Sequence, residues 1–199
     1  MSDSQQEQKR RRRFITLPEL VAVLGLVVGA TTLGLNWSEK RQVAHEKAAS
    51  AAAASAAEAL LSLEAALARD GNEIRLSDPR HELIDTAVDF PAVLGIERQA
   101  PATARIDKVW FERAVLEATD GGADDREGRL PVLVTARYMA GNVLREGRSV
   151  VEIIWRTQGR LIGGRTLTIE AVRVREPGGD RKRIDALWAA EMKRQSALA

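Results

Sequence analysis

The sequence predicts an α+β protein: an N-terminal transmembrane helix, an alanine-rich helical stalk, then a small antiparallel β-sheet domain with a C-terminal helix. Three observations predict it. No charged residue interrupts Leu20 to Leu35, inside an apolar stretch from Phe14 to Trp37. Residues 38–69 are rich in Ala, with Leu, Glu, Lys and Arg filling most other places. From Gly71 onward, short runs rich in Val, Ile and Thr alternate with glycine-bearing turns. The parts divide as a basic tail at 1–13, a span at 14–37, a stalk at 38–70, the sheet domain at 71–178 and the last helix at 179–199.

The span comes first. The residues from Phe14 to Trp37 would reach about 36 Å as a helix, enough for a hydrocarbon core of about 30 Å with some tilt. Arg10, Arg11, Arg12 and Arg13 flank one end, and Trp37 lies where an interfacial aromatic is expected at the other. Pro18 falls in the first turns, where a missing N–H costs least. Glu19 is about one turn inside and can reach back toward the arginines. Lys9 and the four arginines orient the tail toward the cytoplasm. The body is then expected outside, at the periplasmic face of a bacterial inner membrane. Gly25 and Gly29, four apart, would let two such helices approach closely.

Two short resemblances bear on the same segment. Arg11-Arg12-Arg13-Phe14-Ile15 resembles the core of twin-arginine export signals, which implies a cleaved leader and a soluble exported body. Phe14-Ile15-Thr16-Leu17-Pro18-Glu19-Leu20 resembles the start of type IV pilins and pseudopilins. Arg13 stands where that family has its processing glycine, and Ile15 shifts Glu19 one position out of register. No processing site is therefore carried over. The only tolerable cleavage site, Val28-Gly29-Ala30, lies mid-span. The expectation is a retained anchor.

For the stalk, Ala is the best helix former, and Leu60, Leu63 and Leu67 would share one helical face, with Leu61 alongside. Ala44, Ala48, Ala52 and Ala56 form a four-spaced ridge above them. Such a ridge permits a short coiled-coil or homodimer seam but buries little area. Asp70-Gly71-Asn72 would end the helix. His45 has no second ligand at helical spacing.

In the domain, residues 73–78 read as a strand. Asp78 before Pro79 reads as an N-cap opening a short helix to about Val88. Residues 104–118 alternate like a strand. Residues 131–139, 149–157 and 165–176 are β-branched and aromatic, with turns expected at Ala140-Gly141-Asn142, Glu146-Gly147-Arg148 and Gln158-Gly159. Short turns mean antiparallel hairpins. After Gly179, Ile184, Leu187, Trp188 and Met192 recur at helical spacing and should dock on the sheet.

Charge and motif exclude several chemistries. Residues 38–199 carry 25 basic and 25 acidic side chains, so the net charge sits wholly at the N-terminus. A neutral body has no field to attract phosphate backbones, and no nucleic-acid partner is expected. Cysteine is absent, which removes disulfides and thiolate ligands. His81-Glu82 lacks the second histidine of a zinc helix, and Gly159–Gly164 lacks the Lys-Ser/Thr ending of a phosphate loop. Asp120, Asp124, Asp125 and Glu127 cluster without EF-hand spacing and read as a solvated loop. Arg137, Arg145, Arg148, Arg156 and Arg160 recur along the hairpins. Glu146 and Glu152 nearby favour cross-strand pairing over an acidic-partner face.

No catalytic residue, cofactor or metal is expected. The sequence points to a tethered domain for protein interaction or assembly of an envelope complex. Its partners are the lipid bilayer, an unidentified protein and a second copy through span and stalk. A small-molecule or lipid-binding module is the alternative.

Overall fold

The computed structural model of the chain describes residues 49–50, 56–57, 59–120, 123–160 and 164–198. The basic tail, the span with Gly25, Gly29 and Trp37, and most of the alanine-rich stalk lie outside the described residues. No helix among the described residues is long and apolar enough to cross a membrane. The chain divides into two units, Met1–Ala56 and Ala57–Ala199. In the first, Ala49, Ser50 and Ala56 are helical.

The second unit holds two antiparallel sheets. Strands β1 (Glu64–Leu67), β2 (Glu73–Ser77) and β4 (Arg105–Asp107) form a small sheet in the order β1-β2-β4. Strands β3 (Glu82–Asp89), β5 (Arg126–Ala140), β6 (Val143–Gly159) and β7 (Arg165–Pro177) form a larger one in the order β3-β5-β6-β7. Helix α1 (Glu112–Ala118) follows β4, and α2 (Arg181–Leu198) closes the chain. The domain is α+β, with the expected hairpins and C-terminal helix.

Register decides what each face buries. Leu130 pairs with Ile153 and Val132 with Val151, so these side chains share one face. That face packs on Ile74 and Leu76 of β2, Ile106 of β4, and Phe111 and Val115 of α1. The opposite face carries Leu133 and Val150, which pack on Ile184 and Leu187 of α2. The middle of β5 is thus buried on both sides, which explains its nearly continuous apolar run.

Four expectations from the sequence are corrected. Glu64–Leu67 is a strand, not the end of a stalk helix: Leu67 pairs with Ile74 and Glu64 with Ser77. Ala, Glu and Leu are helix formers, but pairing with β2 and burial of Leu63 outweigh that preference. Gly71 accordingly turns a hairpin rather than capping a helix, and Leu60, Leu61, Leu63 and Leu67 share no helical face.

The stretch after Asp78-Pro79 is β3, paired along β5 from Met139 to Leu133. The Asp78 carboxylate does take the Arg80 N–H at 2.8 Å, but this closes a local turn, not a helix. Residues 104–118 hold only the three-residue β4, a 3₁₀ turn at Lys108–Trp110, and α1. Phe111 and Val115, one helical turn apart, are both fully buried, so the helical period wins. Finally, Gly147 lies inside β6 rather than in a turn, as do Gln158 and Gly159, which still pair with Thr166 and Arg165 of β7. A Cβ on Gly147 would sit 2.7 Å from the Leu61 Cβ, so its hydrogen is what admits the incoming chain.

Helix α2 has a specific task. Strand β3 ends at Asp89, opposite Leu133, while β5 runs on from Leu133 back to Arg126 with that edge unpaired. Asp180 caps α2 by accepting the Arg183 N–H at 2.8 Å. The helix then follows the open edge. Arg181 contacts Asp89, Glu191 accepts the Arg129 backbone N–H at 3.2 Å, and Gln195 donates to the Glu127 carbonyl at 2.6 Å. The lengths agree: Arg181 to Gln195 rises about 21 Å as helix, and Leu133 to Glu127 about 20 Å as strand. Backbone groups two residues apart point to the same edge. Pro131 therefore has its missing N–H on the side of Arg129's, away from the β6 ladder.

Two substitutions test this arrangement. A Cβ on Gly128 would lie 2.3 Å from Cζ2 of the buried Trp155. Gly128→Val should cost about 1–3 kcal/mol, read as a lower midpoint in thermal denaturation followed by circular dichroism. Glu191→Ala leaves the Arg129 N–H without its acceptor. It should cost about 1–3 kcal/mol and speed amide exchange at Arg129.

Candidate interaction surface

The chain enters the domain beside the tip of the β5–β6 hairpin, and polar side chains fasten it there. Arg80 donates to the Leu60 carbonyl at 2.9 Å and to the Ala57 carbonyl at 3.3 Å. The Tyr138 hydroxyl donates to the Ala59 carbonyl at 2.9 Å, and the Ser62 N–H donates to Asp78 at 2.7 Å. Leu61 rests over Gly147, and Leu63 is buried in the core.

Asp78 and His81 form the centre of this clamp. The Asp78 side chain is 0% exposed and that of His81 6%. His81 Nδ1 lies 2.9 Å from the carboxylate and its ring 4.9 Å from that of Tyr138. An ionised carboxylate only accepts, so the ring carries a proton on Nδ1. Burial alone would raise the Asp78 carboxyl. Hydrogen bonds from His81, Ser62 and Arg80 outweigh it and hold Asp78 below the ordinary range.

Around the clamp lie exposed apolar side chains. Six large ones are exposed among the described residues, and four belong to this end: Leu60, Ile84, Val143 and Leu144. Ile84 occupies a bulge in β3, next to Leu83 that pairs with Tyr138; Leu144 pairs with Met139. Helix α2 follows β5 only from Leu133 toward Glu127, so it leaves this end of the hairpin open.

The five hairpin arginines do not form one surface. Register places Arg137, Arg148 and Arg156 on the α2 side of the sheet and Arg145 on the other. Each of the three faces a carboxylate. Arg137 Nε donates to Asp85 at 2.8 Å, Arg148 to Glu146 at 3.2 Å, and Arg156 lies 3.6 Å from Glu127. Glu152, almost fully buried, is held by Arg173 and Arg175. Burial would raise its carboxyl, but those two guanidinium groups keep it low. Arg145 and Arg160 make no ion pair among the described residues.

The acidic loop is tied to the sheet. Thr157 donates to the Asp124 carbonyl at 2.9 Å, and Asp120 lies 3.4 Å from Arg165. No group of three or more metal-ligating side chains comes together among the described residues.

Clefts flank α2 and α1. One of about 340 Å³ lies beside Arg126, Arg129 and Arg194; a smaller one of about 180 Å³ shares Arg129 and Arg194 and reaches Glu152. A third, of about 400 Å³, lies between α1 and β7. There Arg165 donates to the Leu116 and Thr119 carbonyls and so caps α1. Sequence reasoning missed the Asp78–His81–Tyr138 clamp and the role of Glu191 and Gln195. The Asp78-Pro79 turn signal was its only local trace. No family model, curated protein or solved structure matches this chain.

The clamp predicts a pH effect. An Asp whose carboxyl is lower folded than unfolded adds stability above the unfolded value, lost as pH falls through the folded one. Acidification from about pH 5 to pH 2 should therefore lower the melting temperature more in the parent than in Asp78→Asn, whose amide does not titrate. Parallel pH–melting curves would contradict the clamp.

Proposed function

We propose that the chain is a single-pass membrane protein that presents its α+β domain outside the cytoplasm, for protein interaction or for assembly of an envelope complex. The observation that carries this reading is the uncharged run from Leu20 to Leu35, bounded by Arg10–Arg13 and Trp37. The domain supports it by having its own core and by fastening its entering chain at Ala57–Leu63. In this reading the N-terminus is cytoplasmic, the domain periplasmic, and Gly25 and Gly29 pack one span against another. No catalysis is part of the proposal.

A second reading rests on one feature. Arg126 and Arg129 line the 340 Å³ cleft beside α2 and make no ion pair among the described residues. A small anionic ligand or lipid head group would complement them.

Membrane fractions decide the first reading. The protein should resist alkaline carbonate extraction and keep its full-length mass, allowing for loss of Met1. External protease should cut the domain in spheroplasts. A soluble product lacking the N-terminal segment would mean a cleaved export signal instead.

A further inference from the structure

We propose that the smaller cleft beside α2 binds a phosphoryl group, carried by a free phosphate ester or by a lipid head group. The inference shares Arg129 with the second reading above and rests on that reading only for the class of ligand, an anion.

Register assembles the groups. On the α2 side of the sheet, Glu152 lies opposite Pro131 of β5 and Arg173 of β7, with Arg129 two residues along β5. Arg129, Arg175 and Arg194 line the cleft, from β5, β7 and α2, beside Glu152 and Glu191. Pro131 and Leu187 give it an apolar wall.

Both carboxylates are already committed. Glu152 accepts from Arg175 at 2.5 Å and from Arg173 Nε at 2.7 Å. Glu191 accepts the Arg129 backbone N–H, the Arg194 guanidinium and the Gln195 amide. The Arg129 guanidinium makes no ion pair and no hydrogen bond among the described residues. Four guanidinium groups (Arg129, Arg173, Arg175, Arg194) thus meet two carboxylates, an excess of two positive charges.

That excess selects the ligand. Arg175 and Arg194 are positioned by the carboxylates they hold, and each has more N–H donors than those bonds use. A planar carboxylate is satisfied by a single guanidinium fork. Donors from three separate elements suit a tetrahedral group instead, and a phosphate monoester offers three oxygens and close to two negative charges at neutral pH. At about 180 Å³ the cleft is smaller than the roughly 300–1,000 Å³ of sites that enclose a whole small molecule. It takes the phosphoryl group. The neighbouring cleft of about 340 Å³, which shares Arg129 and Arg194, receives the rest of the ester.

Titration calorimetry on the full-length protein at about pH 7.5 tests this, with inorganic phosphate as the probe. Phosphate should bind, and acetate at least about tenfold more weakly. R129A should weaken phosphate binding about tenfold. The Arg129 side chain holds nothing in the fold, so the melting temperature of R129A without phosphate should match the parent's. A190E brings a carboxylate into the smaller cleft from an exposed helix position and should abolish binding. R145A removes an unpaired arginine at the β5–β6 hairpin tip and should leave binding unchanged. A soluble short-chain phosphatidic acid, set against glycerol phosphate, identifies the source. Tighter binding of the lipid names a head group, and equal binding names a free ester; either sustains the proposal.

An absence of phosphate binding overturns it, as does acetate bound as tightly as phosphate. So does a loss in R145A equal to that in R129A, or phosphate binding that survives A190E. If binding survives A190E but is lost in R126A, the anion sits in the neighbouring cleft. The second reading then stands and this one falls.

Discussion

Strand β5 continues from Leu133 back to Arg126 after its neighbour β3 has stopped, and the outward N–H and C=O groups along that stretch need partners. Much of the domain follows from how they are found. Leu130 and Val132 beside them are fully buried, so an element that partners this edge also closes the core. A further strand would do so, but so does a helix whose polar residues recur at the right interval. Glu191 and Gln195 stand one turn apart on α2 and reach two backbone positions that stand two residues apart on β5. The carboxylate acts as a strand carbonyl would, and the carboxamide as a strand N–H. Trp188 and Met192, between and beside them, complete the core. The helix thus seals the edge and closes the hydrophobic interior in one element.

Buried charge is satisfied by the same rule of local partners. Glu152 is 4% exposed and would be costly alone, yet Arg173 and Arg175 both reach it from β7. They can because β7 slips register against β6 at Val150–Val151, where Arg175 is the extra residue. The bulge therefore re-aims a guanidinium and also makes the outer strand a poor template for pairing. Lys108 adds a donor to the Leu167 carbonyl on the same strand.

At the other end of the hairpin the balance differs. The clamp of Asp78, Arg80, His81 and Tyr138 satisfies the entering backbone, but apolar side chains there remain in solvent. One end of the domain is thus sealed by its own helix, and the other keeps apolar side chains exposed where the chain enters. That asymmetry suits a tethered interaction domain, the function we propose.

The sequence by itself determined β2, the long strands β5, β6 and β7, and the helix α2. Each carries a run whose period or β-branched content outweighs any competing preference. It also indicated that the hairpin arginines pair with carboxylates, but only Arg148 uses its neighbour Glu146, within one strand; Arg137 reaches Asp85 and Arg156 reaches Glu127, both remote in the chain. Tertiary structure decided the rest. Glu64–Leu67 is made of helix formers and became a strand only because β2 was there to pair with it. Asp78-Pro79 signalled a helix start, and its carboxylate went instead to a turn and to the Ser62 N–H, sixteen residues away. Gly147 looked like a turn, yet its missing side chain makes room for Leu61. Glu191 and Gln195 read as an ordinary polar helix face; only the early end of β3 gives them backbone to bind. Outside the β1–β2 hairpin the deciding partner is remote in sequence, and local propensity carries no record of it.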